Sequence, residues 1–115
     1  MITNALSQES FRYSNKWRIE VSGSARSDGE IVFQVTPRDG DSDLVTVAIE
    51  SSFGENHGAR AIRDAFRDQL DEDRYSIERD DGEDVLVKKR HGEADFALRV
   101  ISSTVSAVRV RLQKE

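Results

Sequence analysis

Cysteine is absent from the 115 residues, and proline, tryptophan and methionine occur once each. Without a thiol the chain forms no disulfide and offers no thiolate to a metal. A single proline, Pro37, leaves almost every backbone N–H free to join a ladder. The only histidines, His57 and His91, each precede a glycine in a polar stretch. Neither has a serine and a carboxylate at triad spacing. The glycines are scattered, with no pattern that would cradle a phosphate. No apolar run approaches the ~18 residues of a membrane span. Met1-Ile2-Thr3-Asn4 shows neither a basic start nor an apolar core, so no secretory signal is expected.

What remains is a charged chain, 34% Asp, Glu, Lys and Arg with a net charge of −5. That balance argues against sequence-independent nucleic-acid binding, which relies on Lys and Arg neutralising phosphates. The sign is uneven: −3 over residues 1–54, −4 over residues 55–82 and +2 over residues 83–115. Complementary ends of this kind suit head-to-tail stacking, but an ordinary solvated surface of mixed sign is the expected reading.

Residues 1–16 are polar, with Phe11 and Tyr13 isolated and no sustained period, and read as an N-terminal arm that orders by docking. Residues 17–115 read as one α+β domain. Trp17, Ile19 and Val21 alternate with Arg18, Glu20 and Ser22, the mark of a half-buried strand; phase with its neighbours favours Trp17 as core. Ile31, Phe33 and Val35 make a second strand, ended by Pro37, and Val45, Val47 and Ile49 a third. Residues 51–58 read as a loop. From Ala59 the period becomes helical, with Ala59, Ile62, Ala65, Phe66 and Leu70 on one stripe. Asn56 is the expected N-cap. The acidic Asp71-Glu72-Asp73 opposes a helix C-terminus, so the helix should end by Leu70 or Asp71.

After the helix the pattern reads as a β-meander: Tyr75 and Ile77, an Asp80-Asp81-Gly82 turn, Val85 and Val87, then Phe96, Leu98 and Val100, then Val108, Val110 and Leu112. The expected fold is therefore α+β and mostly antiparallel, in the order βββ-α-ββββ, a sandwich or partly closed barrel. One helix cannot cover seven strands, so the sheet must close on itself or meet a neighbour.

Chemistry is sparse. Asp39, Asp41, Asp43 and Glu50 have EF-hand spacing, but Leu44 stands where the loop needs glycine and residues 44–49 read as a strand. A solvated acidic turn is expected there rather than a cation site. Asp80, Asp81, Glu83 and Asp84 cluster at a hairpin tip, which supplies no cleft for acid–base work. Lys88-Lys89-Arg90-His91 ends a strand, with Lys88 and Arg90 on one face and Lys89 on the other. With Arg99, Arg109 and Arg111 this run would form a basic sheet face, yet without the aromatic platforms that single-strand binding uses. No catalytic, cofactor-binding or metal-binding residue is assigned, and no small-molecule substrate is expected.

The spacing Ala59, Ile62, Ala65, Phe66, Leu70, then Tyr75 to Ile77, Asp81-Gly82, Val85 to Val87, and Phe96, Leu98, Val100 resembles a strand–helix–strand module of tailed-phage tail and virion proteins and of flagellar filament proteins. The resemblance spans residues 45–100. Residues 1–43 fall outside it, and Phe66 stands where the flagellar version has Asn. It implies a structural role: a virion subunit, made in the host cytoplasm, that self-associates through its arm and strand edges and contacts neighbouring structural proteins. The alternative is a small cytoplasmic acidic protein, an immunity protein or antitoxin, meeting a basic effector through Asp64, Asp68, Asp71, Glu72 and Asp73.

Overall fold

The computed structural model describes residues 11–115. It contains seven strands and one helix: β1 (Lys16–Ser22), β2 (Gly29–Pro37), β3 (Asp43–Ile49), α1 (Glu55–Gln69), β4 (Tyr75–Asp80), β5 (Asp84–Lys89), β6 (Phe96–Ser103) and β7 (Arg109–Lys114). The βββ-α-ββββ order and antiparallel character are as expected, and the closure is a sandwich of two separate sheets. One sheet has the order β4-β5-β1-β7, the other β3-β2-β6.

The last four strands are not a meander. Only β4 and β5 form a hairpin; β6 leaves to pair with β2, and β7 returns to pair with β1. Period-2 alternation reports which face is buried and not which strand is the neighbour. The hairpin carries the expected turn, with Asp81 at φ 53° and Gly82 at φ 82°.

Each strand sends its alternating apolar set inward. Ile19, Phe33, Val35, Val45, Val47, Val85, Val87 and Phe96 are fully buried, and Trp17 joins them, its indole N–H donating to Phe96 O at 2.9 Å. The helix lies beside β3 and packs on β4, β1 and β5. Its stripe of Ala59, Ile62 and Phe66 is buried, and the Phe66 ring meets Phe33 edge-to-face at 5.1 Å.

The helix begins earlier than its periodicity indicates. Gly54, not Asn56, is the N-cap; its backbone is extended and it lends no side-chain bond. Glu55 stands in the first turn, where a carboxylate suits the helix dipole. Gly58 therefore lies within the helix and not in a loop. A Cβ there would stand 3.3 Å from Val21 Cγ1, a tight contact that glycine avoids where the helix faces β1. At the other end the helix stops at Gln69 with Leu70 as C-cap, as expected.

Tyr75 is buried against Phe96, rings edge-to-face at 5.1 Å, and burial pushes its phenol above the ordinary value of 10.0. The unfolded chain thus releases this proton at lower pH than the folded one. The contribution is complete below pH 10 and is lost as pH rises through the folded value. Thermal melts from about pH 8 to about pH 11 should show stability falling above pH 10 more steeply in the parent than in Tyr75→Phe. Parallel profiles would contradict the assignment.

Candidate assembly surface

A sandwich exposes four edge strands, and an unpaired edge is a template for another chain. Here the edges are β3 and β6 in one sheet and β4 and β7 in the other. The two pairs are treated differently.

On the helix side both edges are capped at mid-strand by side chains. Gln69 Nε2 donates to Thr46 O at 2.8 Å, and Thr46 N donates to Gln69 Oε1 at 2.9 Å, so a side-chain amide stands in for a neighbouring strand. Arg67 donates through Nε and Nη2 to Ile77 O of β4 at 3.0 and 2.7 Å. Nothing local in the sequence announces the backbone partners of either residue.

On the opposite side lie the edges β6 and β7, one from each sheet. They are joined at one end by residues 104–108. At the other end Ser14 pairs with Phe96 through two 3.0 Å backbone bonds, and its hydroxyl donates to Glu115 O at 3.3 Å. Between these ends the side is open among the described residues. Val100 and Ile101 are 37% and 46% exposed, and Val108, Val110 and Leu112 are partly buried against the core. Val100 and Ile101 sit at a bulge where the β2–β6 register shifts. Pairing alternates along an antiparallel ladder. Phe96 turns its N–H and C=O to Ser14, so Leu98 and Val100, of the same parity, turn theirs to the free edge.

The two open edges differ in protection. β7 carries Arg109, Arg111 and Lys114, all exposed, and charges of one sign along an edge repel a copy of themselves. β6 carries one charge, Arg99, and the chain from Val100 to Val108 has none.

Residues 11–13 of the expected arm do not remain on the β6 edge. Arg99 stacks over Phe11 at 5.1 Å and Arg38 over Tyr13 at 4.3 Å. Arg99 alternates with Leu98 and Val100 and so faces outward. Beside these guanidiniums, outward-facing Thr36 and Ala97 are opposite one another and buried. The chain therefore lies on the outer face of the sheet over residues 11–13 and meets the edge only at Ser14. Residues 1–10 of the arm lie outside the described residues.

The remaining charged groups fall apart from one another. Arg99 belongs to the three-stranded sheet, whereas Lys88, Arg109 and Arg111 belong to the four-stranded one, so the expected basic face is divided. Lys89 donates to Glu93 O and Arg90 to Glu72 O, and Arg111 approaches Glu20 at 3.8 Å. Asp39 meets Arg74 at 3.4 Å and Asp43 opens β3, while Asp41 is exposed. Among the described residues no group of His, Asp and Glu is arranged to hold a metal. His57 sits in the first turn of α1 with its ring 5.1 Å from Phe53, and His91 is exposed after β5.

Asp80 and Asp84, from the acidic hairpin, converge on Arg18. Arg18 Nη1 reaches Asp80 Oδ2 at 3.0 Å and Asp84 Oδ2 at 2.7 Å, and Nε reaches Glu115 Oε2 at 3.2 Å. Hydrogen bonds to Glu115, Asp84 and Asp80 hold the guanidinium well above its ordinary value.

A recess of about 290 Å³ lies under the end of α1, lined by Phe66, Arg67, Leu70, Tyr75 and Arg90 among others. Its guanidiniums are turned to the carbonyls of Ile77 and Glu72. Among the described residues no buried side-chain N or O lacks a partner. The recess thus offers no converging set of unpaired polar groups to a ligand. No protein-family model, curated protein or solved structure matches the chain.

Proposed function

We propose that the chain is a structural subunit of a phage-like virion assembly, in a tail, neck or capsid-decorating position, which associates with its own copies and with neighbouring structural proteins through strand edges. One observation carries the self-associating part. The helix side is capped at Thr46 and Ile77 by Gln69 and Arg67, while the β6 edge on the other side keeps the N–H and C=O of Leu98 and Val100 turned to the free edge beside exposed Val100 and Ile101. Selective capping of two edges leaves a preferred direction of growth. The virion setting draws on the resemblance of residues 45–100 to modules of tail and filament proteins.

A second reading, an acidic protein that meets a basic effector, draws on Asp64, Asp68, Asp71, Glu72 and Asp73, all exposed around the end of α1. The two readings differ in salt response. Electrostatic steering weakens sharply as salt rises, whereas edge pairing rests on backbone hydrogen bonds and apolar contact.

Light scattering coupled to size exclusion, at two protein and two salt concentrations, tests the proposal. The parent should show concentration-dependent multiples of one chain that persist in high salt. Val100→Lys combined with Ile101→Lys places two charges on the edge. Losing about 2 kcal/mol of edge pairing should weaken self-association on the order of 30-fold. A parent that stays monomeric at every concentration would overturn the assembly reading.

A further inference from the structure

Three features invite a further reading: the recess under α1, the carboxylates around Arg18, and the free edge of β6. The first two are internally satisfied. Among the described residues the edge is not, and the course of the chain beside it points to an occupant.

Ser14 makes a single bridge to β6 that the residues before it do not extend. Continuing the Ser14–Phe96 register would bring Arg12 opposite Leu98 and residue 10 opposite Val100. Among the described residues no backbone bond joins Arg12 to Leu98. Phe11 and Tyr13 are instead held on the outer face by Arg99 and Arg38. Among the described residues the molecule's own chain is therefore diverted at Leu98, whose N–H and C=O face out. It is diverted beside Arg99, a residue of the same edge strand, so the ten residues before Phe11 start from the rim of the open side. Extended, ten residues reach about 33 Å.

The composition of that segment suits an edge. The side chains of residues 1–8, Met-Ile-Thr-Asn-Ala-Leu-Ser-Gln, carry no charge. A second copy offering β7 would bring Arg109, Arg111 and Lys114. Pairing β6 with β6 about Arg99 would set two arginines opposite each other, which is destabilising. We propose that residues 1–8 of a second copy add as a strand to the β6 edge at Leu98 and Val100, joining copies head to tail. This rests on the self-association proposed above and names the donor and the acceptor.

Such an interface is heterologous, so donor and acceptor separate cleanly into two variants. Deletion of residues 1–8 leaves an acceptor without a donor. Val100→Pro leaves a donor without an acceptor: the Val100 N–H points away from β2, so proline removes an edge donor and no ladder bond. Val100→Lys serves in its place if the proline variant loses its circular dichroism spectrum. Each variant alone should run as a monomer, and an equimolar mixture should form a one-to-one heterodimer. Amide exchange at Leu98 and Val100 of the deleted chain should slow on mixing.

Three results overturn the inference. Undiminished self-association of the deleted chain would leave edge assembly standing and remove residues 1–8 as the donor. A full-length monomer already protected at Leu98 and Val100 would show that the edge is filled within one molecule. A parent with no self-association would remove the assembly reading and this inference together.

Discussion

Phe66→Ala should cost about 4 kcal/mol, a large share of the ~5–15 kcal/mol that holds a domain of this size. The side chain is fully buried, and its ring packs edge-to-face on Phe33 at the centre of the three-stranded sheet. Truncation removes the transfer free energy of a phenyl ring and leaves a cavity walled by two sheets and a helix that cannot all collapse onto it. Phe66→Leu, which retains most of the volume, should cost only ~1–1.5 kcal/mol. Urea unfolding followed by the fluorescence of Trp17, the only tryptophan and buried in the core, reports both. A Phe66→Ala variant within about 1 kcal/mol of the parent would mean that the helix is anchored elsewhere.

A second effect follows from position. Arg67 is the next residue and Gln69 follows two later, so the side chain that anchors the helix also holds the caps on Ile77 and Thr46. A helix loosened at Phe66 frees β3 and β4 together. Phe66→Ala should therefore aggregate in a way that variants of Val100 and Ile101 do not suppress, because the exposed edges lie on the opposite side of the sandwich.

The strands were legible in sequence because each has one face in the core, and Trp17-Ile19-Val21 or Val45-Val47-Ile49 shows that alternation without outside help. The helical stripe was legible for the same reason. Its start was not. Asn56 is the better N-cap by residue type, but Gly54 occupies the cap, and Asn56 turns its Oδ1 to within 3.0 Å of where a Cβ on Gly82 would stand. Nor was the return of β6 to β2 legible: Phe96-Ala97-Leu98 would alternate equally well beside β5. What distinguishes the two is long-range, in the indole of Trp17 donating to Phe96 O and the bridge from Ser14. The candidate surface was least legible of all. Its sealed side depends on Gln69 and Arg67 finding backbone partners in other elements, and its open side on Phe11 and Tyr13 finding Arg99 and Arg38.

Arg18→Met should be the most costly change on the outer face of the four-stranded sheet, about 3 kcal/mol. In sequence Asp80 and Asp84 read as part of a solvated hairpin tip, yet Asp84 is buried and shares Nη1 of Arg18 with Asp80, while Glu115 takes Nε. Methionine preserves the stem that covers Leu86, the residue opposite Arg18 in the register and itself buried on this face. The substitution therefore isolates the charge: three carboxylates remain clustered, one of them desolvated. Adding Asp84→Leu should restore at least half of the loss, since an apolar pair replaces the buried carboxylate beside Leu86. The guanidinium is held above a value already beyond the working range, so it stays protonated in both folded and unfolded chains and its own titration adds no pH dependence there. Salt is the informative variable. Pairs with Asp80 and Glu115, on the more exposed side chains, should weaken between low and high salt, while the Asp84 pair, the most shielded at 12% exposure, should persist. Urea titrations of the parent, Arg18→Met and the double variant at two salt concentrations resolve these terms. A double variant no more stable than Arg18→Met would show that the cost lies in packing around the stem and not in the stranded charge.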